Sequence, residues 1–431
     1  MRKKKNDQIC HFCKKHESEV GPLVIGPPSK SLVKVISKMA CAGCLDLFKS
    51  LNARNRKKDK ISPADMQPEL SLIENAKEKN IPTPKEIVSH LDKVVIGQSE
   101  AKKQLAIAVA NHYKRVFSTK VTKEFNDTRI EKSNILLIGG TGTGKTLLAK
   151  TIAELLTVPF AIADATSLTQ AGYVGEDVES ILTKLLVNSG GNVAEAQKGI
   201  IFIDEIDKIA KKGKSLSISR DVSGEGVQQS LLKILEGSVV NVPPNGGRKH
   251  PHEKFIEVDT TNILFICGGA FCGLDDVVKR KNDDIIKRSI GFNSTHGTTK
   301  PAIRPVSIVS HDDLIEFGMI PEFMGRLPVI AQTNPLGIED LARILMEPRD
   351  AILKQFQKLL NYDDVELGFT REAIFFISTL VHEYGTGARG LRSIMETTLC
   401  DILYDVETYK GKKLQIDIDY VQQALGLTIA Q

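Results

Sequence analysis

The sequence predicts an α/β fold: a parallel sheet covered by helices, followed by a small, mainly helical C-terminal domain and preceded by a cysteine-bearing head. Three observations predict it. Short apolar runs alternate with helical patterns between residues 133 and 333. A glycine-rich stretch at 133–156, SNILLIGGTGTGKTLLAKTIAELL, joins one such run directly to one such helix. Two Cys-x-x-Cys pairs stand near the N-terminus, with 27 residues between them. Strands that alternate with helices argue for a parallel sheet with both faces covered.

At 431 residues the chain has room for two to four domains with ample core. Its composition, 41% hydrophobic and 26% charged, is that of an ordinary globular protein. No apolar run reaches the length of a membrane span, so no transmembrane helix and no membrane partner is expected. The basic opening MRKKKNDQICHF lacks an apolar segment behind it and does not read as a secretory signal, which makes a cytoplasmic location the expectation. Charge is uneven. Residues 1–60 carry 15 Lys/Arg against 5 Asp/Glu, and the remainder 43 against 48. A basic head can meet nucleic acid or an acidic protein surface, or simply be solvated.

The head, residues 1–55, places Cys10 and Cys13 in one pair and Cys41 and Cys44 in the other. Four thiolates in two tight pairs suit tetrahedral Zn²⁺, and a closed shell of four cysteines means a structural zinc-binding domain. The metal would replace a core that so short a segment cannot build. The gap between the pairs exceeds the usual zinc-ribbon spacing. Cys267, Cys272 and Cys400 lie in apolar surroundings and are expected to be buried small hydrophobes.

Residues 56–84 are charged and proline-containing with little apolar periodicity, and read as a linker. A large domain is expected over 85–333. Helical patterning runs from 85 to 117; Gly97 breaks it, and Gln98-Ser99-Glu100 offers a fresh helix start. The run 135–138 is continuously apolar, as in a strand buried on both faces. Further strands are expected at 158–163, 199–203, 262–267 and 328–331, with a helix at 181–187. From 334 to 431 the pattern is mostly helical, with a short strand near 415–418: a second, smaller domain.

Between the strand at 135–138 and the helix after it lies Gly-x-x-x-x-Gly-Lys-Thr, from Gly139 to Thr146. Strand, glycine-rich loop and helix is the context that such a loop needs. Backbone N–H groups of Gly140, Thr141, Gly142, Thr143, Gly144 and the first turn up to Leu147 would close around phosphate, helped by the helix N-terminus. Lys145 would reach the β- and γ-phosphates and the Thr146 hydroxyl would ligate Mg²⁺, so the nucleotide is a triphosphate such as ATP. Asp204-Glu205 ends the apolar run GIIFI. Asp204 is placed as the second Mg²⁺ anchor, and Glu205 to deprotonate an attacking water, which implies hydrolysis. Arg326 in IPEFMGRLPV and Arg389 in GTGARGLR stand among glycine and apolar residues. An arginine aimed at a γ-phosphate is worth about 10³ to 10⁵ in rate in other NTPases. By their surroundings alone, each is as readily a surface or salt-bridge residue.

Taken in order, LDKVVIGQSEAKK, GGTGTGKT, IIFIDEID, RDVSGEGVQQSLLKILEG, GGRKHP, LFICGGAF, IPEFMGRLPV and GARGLRSIME closely resemble the ClpX family over residues 91–404. The resemblance implies an AAA+ P-loop NTPase fold and a hexameric ATP-dependent unfoldase and chaperone that feeds the ClpP peptidase. It implies that Arg326 acts in trans on a neighbour's nucleotide, that Arg389 reads the nucleotide of its own subunit, and that Val95 and Ile96 pack the adenine. Tyr173 and Val174 would belong to the pore loop that grips substrate, and residues 215–222 to a second one. Arg248, Lys249 and His250 would form a basic loop at the pore entrance, and Ile290, Gly291 and Phe292 the tripeptide that docks on ClpP. The implied partners are a homohexamer, ClpP, and unfolded or tagged substrates with their adaptors. Two departures stand against the family pattern: the long gap between the cysteine pairs, and the segment after Phe292, NSTHGTTKPAIRPVSIVS. A nucleic-acid motor, suggested by the basic head, predicts salt-sensitive DNA binding; the loop GYVG and the tripeptide IGF argue against it. A remodelling chaperone without a peptidase is the other alternative. The related protease ATPase HslU lacks the cysteine head.

Overall fold

Apolar runs at 135–138, 200–203 and 264–267 are buried along their whole length, and that burial organises the molecule. In the computed structural model they sit at the centre of a five-stranded parallel sheet. The structure describes residues 81–117, 128, 130–169, 176–211, 224–243, 255–281 and 309–427, with two short strands before them. Those two, β1 (Leu23–Ile25) and β2 (Met39–Cys41), pair antiparallel with Leu23 opposite Cys41. They belong to a unit over 1–77 that is separate from the unit over 78–431. The cysteines expected to bind zinc have no described side chain.

The second unit opens with α1 (Pro84–Asp92) and α2 (Ser99–Phe117). Thr83 and Glu86 form a reciprocal capping box at the start of α1, and Pro84 takes the first-turn position where a missing N–H costs nothing. The helix thus begins at the last residue of the stretch expected as linker. Then come β3 (Ile135–Ile138), α3 (Lys145–Leu156), β4 (Phe160–Asp164), α4 (Ser180–Asn188) and β5 (Ile200–Asp204). Helix α5 (Glu225–Glu236), the antiparallel pair β6 (Val239–Val242) and β7 (Ile256–Asp259), β8 (Leu264–Gly269) and β9 (Val329–Gln332) follow, with shorter helices at Val193–Ala196, His311–Phe317 and Pro321–Gly325. Sheet order is β9-β3-β8-β5-β4, every neighbour parallel. All five expected strands are present, shifted at their ends by a residue or two.

Alternation along each strand builds two cores. Ile135 and Leu137 of β3 face one side with Ile200, Phe202, Leu264 and Ile266, under α1, α2 and α3. Leu136 and Ile138 face the other with Ile201, Ile203, Phe265 and Cys267, under α4 and α5. A strand covered on both faces must be apolar at every position, which is why the runs are continuous.

After β9 the chain passes residues 333–337 into a third core, built wholly from residues between Leu341 and Val421. Here α6 (Ile338–Met346), α7 (Ile352–Asn361), α8 (Arg371–Glu383), α9 (Ala388–Tyr404) and α10 (Ile418–Ala424) surround a two-stranded parallel sheet of β10 (Glu366–Phe369) and β11 (Lys413–Ile416). The strand expected near 415–418 is therefore β11, two residues earlier. Its partner β10 has the sequence Glu-Leu-Gly-Phe, whose charge and glycine leave no apolar run to mark it. One expectation about the cysteines is corrected. Cys267 is buried, with burial pushing its thiol up to about 12, but Cys272 and Cys400 are exposed. Cys272 lies in the turn after β8, next to the left-handed Phe271, and Cys400 falls on the outer face of α9. No helix among the described residues is long and apolar enough to cross a membrane.

Candidate nucleotide site

The sheet's order reverses at β3, whose neighbours β9 and β8 lie later in the chain, and ligands bind at the carboxyl ends of strands at such a switch point. The loop 139–144 leaves β3 there and enters α3 at Lys145. Lys145 is buried, and its Nζ donates to the carbonyls of Gly139 at 2.6 Å and Gly140 at 3.0 Å. Burial lowers its pKa, against the pull of Asp204 and Asp207. Thr146 Oγ1 donates to Asp204 Oδ2 at 3.0 Å, so the hydroxyl and the carboxylate expected to share Mg²⁺ already meet. Hard oxygen donors of this kind suit Mg²⁺, which needs few protein ligands when phosphate and water complete its shell. The other oxygen, Asp204 Oδ1, accepts from the backbone N–H of Glu205 at 2.9 Å. Glu205 is exposed and left-handed, φ 56° and ψ 33°, a conformation that a residue with a side chain holds only when its surroundings impose it.

The far wall of the site comes from the C-terminal domain. Gly387, with φ 60° and ψ −160°, turns the chain into α9, and Ala388 N donates to Gly142 O at 3.3 Å. A Cβ on Gly142 would lie 2.9 Å from Thr386 O, and one on Gly387 would lie 2.8 Å from Thr141 O. Two glycines thus let phosphate loop and small domain touch backbone to backbone. The result is a cleft of about 680 Å³ lined by Thr141, Gly142, Gly144, Lys145, Thr146 and Leu147 on one side, by Asp204 and Glu205 beside them, and by Arg389 and Arg392 opposite. Gly140 and Thr143 instead line a second cavity of about 430 Å³ behind the loop, with Thr333 and His382.

Not every expected residue gathers here. Val95 and Ile96 are buried, and a Cβ on Gly144 would stand 3.8 Å from Val95 Cγ1, but neither lines the cleft. Arg326 caps a short helix away from it, half exposed, paired with Glu236 through Nε at 3.0 Å and Nη2 at 2.7 Å. In its own chain, Arg326 is not part of the site. Tyr173, Val174, Arg248, Lys249, His250, Ile290, Gly291 and Phe292, with Cys10, Cys13 and Cys44, lie outside the described residues.

Several residues that shape the site were missed. Thr333, directly after β9, bonds through Oγ1 to Thr143 Oγ1 at 2.9 Å and to Ile138 O at 3.2 Å, fastening the loop to the edge strand. Asp207 is buried and accepts from Ala270 N at 3.1 Å, which anchors the turn after β8. Gln98 and Lys102 hold the segment that carries Val95 and Ile96. The position of Thr333 and Asp207 just beyond apolar strands was the available signal.

Residues 130–330 match the AAA domain (Cdc48 subfamily), and residues 336–412 match the C-terminal, D2-small domain, of ClpB protein. The boundary between them coincides with the passage from β9 into the third core. Among curated proteins, the chain is 49% identical over 407 residues to the "ATP-dependent Clp protease ATP-binding subunit ClpX" of Treponema denticola, covering 94% of this chain and 91% of that protein. Identity is 47% over 425 residues to the protein of that name from Borrelia duttonii, covering 98% and 93%. It is 47% over 424 residues to the one from Bacteroides fragilis, covering 98% and 96%. The chain belongs to the ClpX family of AAA+ ATPases.

Proposed function

We propose that this protein is an ATP-dependent protein unfoldase that works as a homohexameric ring and delivers polypeptide to a ClpP peptidase in the cytoplasm. The observation that carries the reading is the composition of the cleft: the phosphate loop and Asp204-Glu205 form one wall, Arg389 and the Gly387 turn the other. A nucleotide between them touches both domains, so its hydrolysis bears on their relative setting. The relatives' name, a subunit of the Clp protease, supports the peptidase as partner.

Each residue has a defined task in this reading. Lys145 exchanges the Gly139 and Gly140 carbonyls for phosphate oxygens. Thr146 and Asp204 hold Mg²⁺, which when bound neutralises charge on the phosphates. Glu205 faces the cleft, orients the attacking water and accepts its proton, its backbone fixed by Asp204 Oδ1. Arg389 contacts the nucleotide of its own subunit. Arg326 crosses to the neighbour's, and Val95 and Ile96 take the adenine. Tyr173 and Val174 grip the threaded chain, Arg248, Lys249 and His250 select at the entrance, and Ile290-Gly291-Phe292 dock on ClpP. Cys10, Cys13, Cys41 and Cys44 hold a structural Zn²⁺.

The test is Glu205→Gln. It should retain ATP binding while hydrolysis falls by about 10² to 10⁴, the usual contribution of a positioned base, and unfolding of a tagged stable protein should stop with it. Normal ATP turnover would remove Glu205 from this role. ATP turnover without degradation when ClpP is added would remove the peptidase.

A further inference from the structure

Residues 93–98 form a strap between α1 and α2, and its ends are tied to different parts of the molecule. On the large domain, the buried Lys102 of α2 donates from Nζ to Asp92 Oδ1 at 2.6 Å and to Val95 O at 2.5 Å. At the other end, Gln98 uses its whole amide on one residue. Nε2 donates to Asn334 O at 2.8 Å, and Oε1 accepts from Asn334 N at 2.7 Å. The small domain adds a third tie, Arg349 N donating to Lys93 O at 3.3 Å. Asn334 stands between β9 and α6, where the chain leaves one core and enters the next.

Two features mark the clamp as more than packing. Gln98 is 6% exposed and left-handed at φ 59°, so the amide is held in a backbone conformation that its surroundings must impose. Val95 and Ile96, which the strap carries, are 5% and 6% exposed and do not line the cleft. A base that packs against them must therefore shift the strap. Because the strap ends in a two-point bond to Asn334, the shift is passed to the inter-domain passage.

We propose that Gln98 is a positioning residue that couples filling of the base pocket to the setting of the hinge at Asn334. The proposal rests on the reading of Val95 and Ile96 as the residues that pack the adenine. In it the phosphates are read by the loop, while the base is read by the hinge through Gln98.

Amide hydrogen exchange on the full chain separates the two readings, because the Asn334 N–H is itself one of the bonds in question. Peptides covering 139–147 and 332–337 report the phosphate loop and the hinge. In the wild type, saturating ADP should slow exchange in both, whereas inorganic tripolyphosphate, which has no base, should slow only the loop peptide. In Gln98→Ala, ADP should still protect the loop but no longer the hinge. The KM for ATP should rise about tenfold, with kcat changed less, the scale expected for two lost hydrogen bonds. Gln98→Glu retains the acceptor for Asn334 N and should keep part of the hinge response, which serves if the alanine variant folds poorly. Equal hinge protection by ADP in the wild type and Gln98→Ala, or by tripolyphosphate and ADP in the wild type, would overturn the coupling and leave the nucleotide site standing. An unprotected loop in the wild type would overturn the site, and the coupling with it.

Discussion

Single residues in this site are poised by geometry more than by shifted charge. Lys145 bonds to two carbonyls of its own loop, partners it can exchange without leaving a buried charge bare. Arg326 is held by one exposed carboxylate, Glu236. Such a pair contributes about 0 to 1 kcal/mol, so the guanidinium is readily given up to a stronger anion. Thr333 fastens the loop through a single hydroxyl. Thr333→Val preserves shape but removes that bond, and steady-state kinetics should show the KM for ATP rising about threefold to tenfold. His112 sets a pH limit on the fold. It is buried against Asn262 O, to which Nε2 bonds at 3.1 Å, and its Nδ1 has no partner among the described residues. Burial, aided by Arg115, lowers its pKa from 6.5 to about 3, against the Asn262 carbonyl. Between those values the unfolded chain takes a proton that the folded chain refuses, so stability is lost as pH falls below 6.5. At pH 5 the loss is about 2 kcal/mol. Thermal melts at pH 7 and 5 should show a larger fall in Tm for the wild type than for His112→Gln; equal falls would assign the acid sensitivity elsewhere.

Among the elements, the decisive one is the turn into α9. Its sequence, GTGARGLR, places Gly387 where φ is positive and ψ lies near −160°, a region closed to residues with a side chain. The phosphate loop meets that turn at Gly142, so the two segments support one another backbone to backbone. Gly387→Ala should open this seam: a Cβ there would stand 2.8 Å from Thr141 O. The KM for ATP should rise by about tenfold or more, while far-UV circular dichroism stays that of the wild type. A normal KM would show that the small domain does not shape the site. Sheet and helices were readable because the three central strands are covered on both faces and the helices on one, which leaves traces in sequence. Of the pair β10 and β11, only β10 left none: its sequence Glu-Leu-Gly-Phe alternates a charge and a glycine with apolar residues and forms no apolar run.

At the scale of the whole molecule, the proposed ring requires that Arg326, which does not line its own chain's cleft, complete a neighbour's. Two inactive variants should complement each other if the site is shared. Arg326→Ala subunits retain Glu205, and Glu205→Gln subunits retain Arg326. Mixed in equal amounts, they should regain a measurable share of ATPase activity that neither has alone; no recovery at any ratio would place Arg326 outside the reaction. Phe292→Ala should abolish ClpP-dependent degradation while sparing unfolding, and loss of unfolding would mean that this tripeptide serves the motor and not the peptidase.

The parallel sheet, the phosphate loop, the acids at the end of β5 and the family to which they belong are all legible in the amino-acid sequence. Each of these is local: a run of apolar residues, a glycine spacing, a pair of acids beside a strand. Tertiary structure alone decided which parts meet. That Gly387 touches Gly142, that Thr333 fastens Thr143, and that Gln98 grips Asn334 across 236 positions depends on chain reversals that no short window records. The same holds for Arg326, whose motif marks it as unusual but not as distant. The phosphate loop is therefore legible as a binder of phosphate from eight residues, whereas its link to the C-terminal domain is a property of the packed chain. Backbone contacts at two glycines and one buried amide supply that link, and neither glycine nor glutamine carries a signature for it in sequence.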